Sequence, residues 1–143
     1  MDLTKSFPRS PKMKMSGLVM VPRMIDKARA YNAETLGEYI FPCPLDKIIL
    51  KFLNVDHEKI IHLAQELTDE EISLWINEQC LNRSQDEKEQ VNQEILERKP
   101  TTLDSLNRFN ILRNKIDPTR TDIITWVDLL ELDENQTSSK IPK

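Results

Sequence analysis

The sequence predicts an all-α fold: a single compact domain of about six or seven short helices. Apolar residues recur at helical spacing along most of the chain, and no segment alternates apolar and polar residues strictly over a strand's length. The stretches Thr68–Glu71 (TDEE) and Ser84–Glu87 (SQDE) have the spacing of capping boxes, each ahead of an amphipathic run.

The elements follow in order. Pro22 suits a first helical position, where its missing N–H costs nothing, and the first helix runs to about Glu34. Gly37 lies in the connection that follows, where a positive φ is needed. Cys43 precedes Pro44 and is pushed away from helical angles, so Pro44 opens the next helix, PLDKIILKFL. Asp56 caps HEKIIHLAQEL, whose Ile60, Ile61, Ala64 and Leu67 share a face. The helix after Thr68 carries Ile72, Trp75 and Ile76 inward. The helix after Ser84 has only Val91, Ile95 and Leu96 to bury and belongs on the outside. A further helix spans about Thr102 to Lys115, with Leu103, Leu106, Phe109, Leu112 and Ile116 toward the core. Pro118 marks a turn, and DIITWVDLLEL forms the last helix with Trp126 in the core. The domain is expected over 1–134, with a basic arm at about 1–15. Residues 135–143 form a disordered tail with little to bury.

Composition bounds the function. Charged residues make up 31% and hydrophobic residues 38%, as in soluble globular proteins. No apolar run approaches the ~20 residues of a membrane span. Cys43 and Cys80, the only cysteines, cannot build a disulfide framework, which points to a reducing, cytoplasmic setting. Residues 1–29 hold seven Lys/Arg against two Asp, a net +5; the remainder holds 13 Lys/Arg against 22 Asp/Glu, a net −9. The arm either meets an anionic partner or lies against the acidic body of its own chain.

Chemistry concentrates between Arg23 and Asp46. Arg23, Asp26, Lys27, Ala30 and Glu34 form one stripe of the first helix. Arg23 and Lys27, one turn apart, repel each other, and an anion between them relieves that. The leading reading is a non-catalytic binding module for a small anionic ligand or a protein partner. Arg23 and Lys27 hold the anion, Asp26 and Glu38 orient them, Tyr39 donates its hydroxyl, and Arg120 is a further candidate. The competing reading is an ion-paired, solvated helix face. If the protein is an enzyme, Cys43 is the nucleophile, since a helix N-terminus lowers a thiol pKa, or Glu38 and Asp46 are an acid–base pair. Against this stands the ordinary fate of cysteine as a small buried hydrophobe. No metal or cofactor is expected: His57 and His62, five apart, do not converge on one helix face. A helix-turn-helix contact with DNA is rejected, because TDEEISLWINEQ carries four carboxylates and no cation. Nucleic-acid contact through residues 5–14 stays a third alternative.

The stretches MDLTKSFPRSP, LVMVPRMIDKARA with LGEYIF, CPLD and RTDIITWVDLLELDE occur in that order from Met1 to about Glu134. In them the chain resembles the bacterial family filed as domain of unknown function 5069. The resemblance implies a small bacterial, cytosolic, single-domain protein, and it carries no activity with it.

Overall fold

The computed structural model describes residues 1–136. Two short strands, β1 (Lys14–Met15) and β2 (Leu18–Val19), precede seven helices. These are α1 (Val21–Asn32), α2 (Pro44–Leu53), α3 (His57–Glu66), α4 (Asp69–Gln79), α5 (Gln85–Leu96), α6 (Leu103–Ile116) and α7 (Trp126–Gln136). The described chain is one mostly helical domain, as its periodicity predicts. None of its helices is long and apolar enough to cross a membrane. The tail expected from residue 135 begins inside α7; its remainder, 137–143, lies outside the described residues.

The helix starts follow local chemistry. The side chains of Asp56, Thr68, Ser84 and Thr102 each accept a backbone N–H three residues on, closing the first turns of α3, α4, α5 and α6. Glu71 and Glu87 return the bond to Thr68 N and Ser84 N. Gly37 has φ 62°, and a Cβ there would sit a tight 3.2 Å from the Leu3 carbonyl oxygen, so both backbone angle and space favour glycine.

The hairpin is absent from the sequence reading. Lys14 pairs with Val19 and Met15 with Leu18, and Ser16 and Gly17 turn the chain with φ of 54° and 79°. Two residues per strand are too few for alternation to register. The hairpin is held from outside: Asn92 on α5 accepts from Val19 N and donates to the Gly17 carbonyl, both at 2.9 Å. That amide is buried with both ends satisfied, so α5 is anchored by more than its apolar face.

The main core joins β2 and α1 through α5 with Val127 of α7. A satellite core of Phe109, Ile123, Leu129 and Leu132 sits between α6 and α7, with the Trp126 ring edge-on to Phe109 at 5.0 Å. Helix α6 packs chiefly on α7, and one neighbour covers only a narrow strip. Phe109 is therefore buried and Ile116 partly so, but Leu103, Leu106 and Leu112 are exposed, contrary to the expected core face. Trp75 and Trp126 are half-buried rather than core. Trp75 leans on the core with one face and has Lys59 Nζ 6.0 Å from its ring centroid.

Helix α1 departs furthest from expectation. Every residue from Val21 to Ala28 is buried, including Arg23, Asp26 and Lys27. The charged stripe is thus not a solvated face. Hairpin, α2 and α3 pack around α1, and charged groups from four other segments reach it.

Candidate functional site

Each ion on α1 has its own counter-ion. The Arg23 guanidinium, 1% exposed, grips Glu134 of α7 with both arms, Nη1 to Oε1 at 2.9 Å and Nη2 to Oε2 at 2.6 Å. Tyr39 closes the group. Its hydroxyl bonds Glu134 Oε2 at 3.2 Å, and its ring lies 5.5 Å from Arg23 Cζ. Burial works to lower the Arg23 pKa, but the Glu134 hydrogen bond and charge raise it. Burial and the Glu134 carboxylate raise the Tyr39 phenol, which stays protonated and donates.

One turn on, Lys27 Nζ reaches Asp46 Oδ2 at 2.6 Å, the Ile40 carbonyl at 3.1 Å and Cys43 Sγ at 3.2 Å. Asp46 is 0% exposed. Its Oδ2 also accepts from Cys43 N at 2.9 Å, while Cys43 Sγ accepts from Asp46 N, so Cys-Pro-Leu-Asp is itself a capping box at the start of α2. The other oxygen, Asp46 Oδ1, is buried without a hydrogen-bond partner among the described residues. Burial pushes the Cys43 thiol pKa up, and the Asp46 carboxylate adds to the rise; Lys27 opposes both without reversing them.

On the third side, Arg9 of the N-terminal arm binds Asp26 through backbone N, Nε and Nη2 at 2.9–3.1 Å. Its Nη1 reaches Asp69 at 2.8 Å, and Arg29 takes the other oxygen of Asp69 at 2.8 Å. Burial works to raise the Asp69 pKa, but the hydrogen bonds from Arg9 and Arg29 hold it below its ordinary value. The unfolded chain therefore binds this proton more readily, and stability rises with pH through that window. The contribution is present above the ordinary carboxylate value of about 3.9 and is lost as pH falls through the lower folded value. In a series of urea midpoints, Asp69→Asn is expected to flatten the acid limb; an unchanged slope contradicts this account.

A cleft of about 440 Å³ opens beside Cys43. Cys43, Pro44 and Leu45 at the start of α2 form one wall, and Thr101 and Ser105 at the start of α6 form another. Trp126 and Leu130 of α7 provide an apolar floor. The rim carries Arg98, Lys99 and Arg108, all exposed, and among the described residues no carboxylate lines it. The start of α7 also faces this region, through a bond from Trp126 N to the Arg98 carbonyl at 3.0 Å. Helix N-termini and cations of one sign favour negative charge in the cleft.

The family described as Domain of unknown function (DUF5069) matches residues 5–136. The chain belongs to this family. No curated protein matches it. The match spans most of the arm, all the helices and the cleft.

In this member of the DUF5069 family the residues expected to form one ligand site are distributed among internal contacts. Arg23 and Tyr39 meet on the chain's own Glu134, in the place expected for a ligand anion; Glu38 itself is exposed. Asp26 goes to Arg9, and Lys27 goes to Asp46. Arg120 is partly exposed, pairs with Asp122, and lines a small hollow with Lys12, Asp128 and Glu131. Cys43 has Lys27 and Asp46 beside it rather than a histidine, and in the alternative Glu38–Asp46 acid–base pair Asp46 is fully buried on Lys27 while Glu38 is exposed. Of the basic arm, Arg9 and Lys12 lie against acids of their own chain, Lys12 on Asp128 at 2.9 Å. No three His, Cys, Asp or Glu side chains among the described residues are grouped to hold a metal ion. The sequence reading missed Arg98, Lys99 and Arg108, which follow no spacing rule. It also missed Cys43–Asp46 as a capping box, although the spacing is plain in CPLD.

Proposed function

We propose that this protein is a non-catalytic binding module for a small anionic ligand with an apolar body, seated in the cleft beside Cys43. The observation that carries the reading is the lining: Arg98, Lys99 and Arg108 around Trp126, Leu130 and Leu45, with no acid among the described residues there, in a chain of net charge −4. The volume falls in the range of small-molecule sites, and the mix of apolar floor and a few polar groups is typical of them. The reading moves the anion away from Arg23 and Lys27, whose charges are met internally. Its preference over an enzyme rests on Cys43, whose thiol pKa is raised rather than lowered, and on Asp46, which is held by Lys27. Its preference over nucleic-acid contact rests on Arg9 and Lys12, which already hold carboxylates. The setting we assign is the bacterial cytosol, where Cys43 and Cys80 remain thiols.

The test uses naphthalene sulfonate as probe, in titration calorimetry on the full chain. Saturable binding is expected, weakening with added salt. Charge-assisted hydrogen bonds contribute about 1.5–3 kcal/mol each, so the triple variant Arg98→Ala/Lys99→Ala/Arg108→Ala should lose at least ~10-fold in affinity. All three side chains are exposed, so the fold should survive. Equal binding by the triple variant overturns the assignment.

A further inference from the structure

Lys27 and Cys43 form a pairing that the cleft reading leaves unused. The amine nitrogen lies 3.2 Å from the sulfur, and both groups are fixed by other bonds: Nζ by Asp46 Oδ2 and the Ile40 carbonyl, Sγ by Asp46 N. Lys27 is 2% exposed and cannot swing away to solvent. Cys43 is half-buried and lines the cleft, which gives a small neutral oxidant a route to its sulfur. The second observation is Asp46. Its Oδ1 is buried with no hydrogen-bond donor among the described residues, and its Oδ2 lies 2.6 Å from Lys27 Nζ, in line to take the amine's proton.

We propose that Lys27 and Cys43 are an oxidative modification site, closing an Nζ–Sγ sulfenamide bond when peroxide enters through the cleft. Hydrogen peroxide first oxidises the Cys43 sulfur by two electrons, slowly, because burial and Asp46 keep the thiolate fraction small and only the adjacent Lys27 charge favours it. Its O–O bond breaks, the thiol becomes a sulfenic acid, and one water leaves. Lys27 passes a proton to Asp46 Oδ2 along the 2.6 Å hydrogen bond. The freed nitrogen lone pair attacks Sγ, the S–O bond breaks, and the leaving hydroxide takes a proton from the nitrogen as a second water. One thiol, one ammonium and one peroxide thus give one sulfenamide, two waters and one proton. A thiol reductant reverses it by exchange at sulfur. The link ties α1 to the start of α2 and removes the Lys27 charge. Among the described residues, no amine hydrogen-bonds the other thiol, Cys80, which serves as the internal control.

The experiment treats the folded wild-type chain with hydrogen peroxide, blocks remaining thiols, digests with trypsin and reads the peptides by mass spectrometry. The expected product joins residues 24–29, uncut at Lys27, to residues 30–47, with two hydrogens fewer than the separate peptides. It disappears on treatment with dithiothreitol. Lys27→Arg, checked for folding by circular dichroism, keeps the charge but lacks the amine. Its Cys43 should proceed to sulfinic acid. Wild-type Cys43 recovered as sulfinic acid with Lys27 cleaved normally overturns the proposal, as does the same two-hydrogen loss in Lys27→Arg. The wild-type peptide map decides the matter even if that variant does not fold.

Discussion

Glu134→Ala is expected to destabilise the protein by about 3–5 kcal/mol, because it leaves the Arg23 guanidinium buried without its counter-ion. The two side chains are 2% and 9% exposed, so this is not the weak surface pair that double-mutant cycles place near ~0–1 kcal/mol. Tyr39 loses the acceptor of its hydroxyl in the same step. The loss is measured by urea unfolding at neutral pH. Glu134→Gln, which keeps the shape and one acceptor, should fall between wild type and alanine. A cost under ~1 kcal/mol for Glu134→Ala would mean that water replaces the carboxylate and that α7 is only loosely seated.

Lys27→Met should be as damaging, again about 3–5 kcal/mol, since it strands a fully buried Asp46 that already has one unpartnered oxygen. The decisive comparison is the double variant Lys27→Met/Asp46→Asn. Asparagine still accepts from Cys43 N and keeps the cap of α2, while no charge is left buried. The double variant should therefore be more stable than Lys27→Met alone, a coupling expected only between groups in direct contact. Costs that simply add would show the two ions to be independently solvated.

The parts of the fold that were legible are those decided within a few residues. Asp56, Thr68, Ser84 and Thr102 announce helix starts because a cap is satisfied three positions on. Pro22 and Gly37 act through their own backbone angles. The charged residues of α1 are different. Periodicity places Arg23, Asp26 and Lys27 on one stripe, but whether a stripe faces water depends on what packs on it. The partner of Arg23 stands 111 positions away, and no local rule connects them. The same holds for α6, whose apolar residues exceed what α7 alone can cover. As for the candidate site, Cys43 was visible from its place before Pro44. Arg98, Lys99 and Arg108 were not, because three cations in a loop and a helix gain meaning only when the chain brings Trp126 and Leu130 beneath them.

The pairing of Arg23 with Glu134 also sets a schedule. A ribosome adds roughly 5–20 residues per second, so on the order of 5–20 s separates the emergence of the guanidinium from that of its carboxylate. Within that interval the nascent chain gains Asp46 for Lys27 and then the hydrophobic segments of α2 through α5, but until Glu134 is made α1 carries one uncompensated ion on a surface that the finished fold seals. Sealing of Arg23 therefore waits for α7. Until then the face of α1 that bears Arg23 has to stay open to water, which solvates the charge in place of the carboxylate.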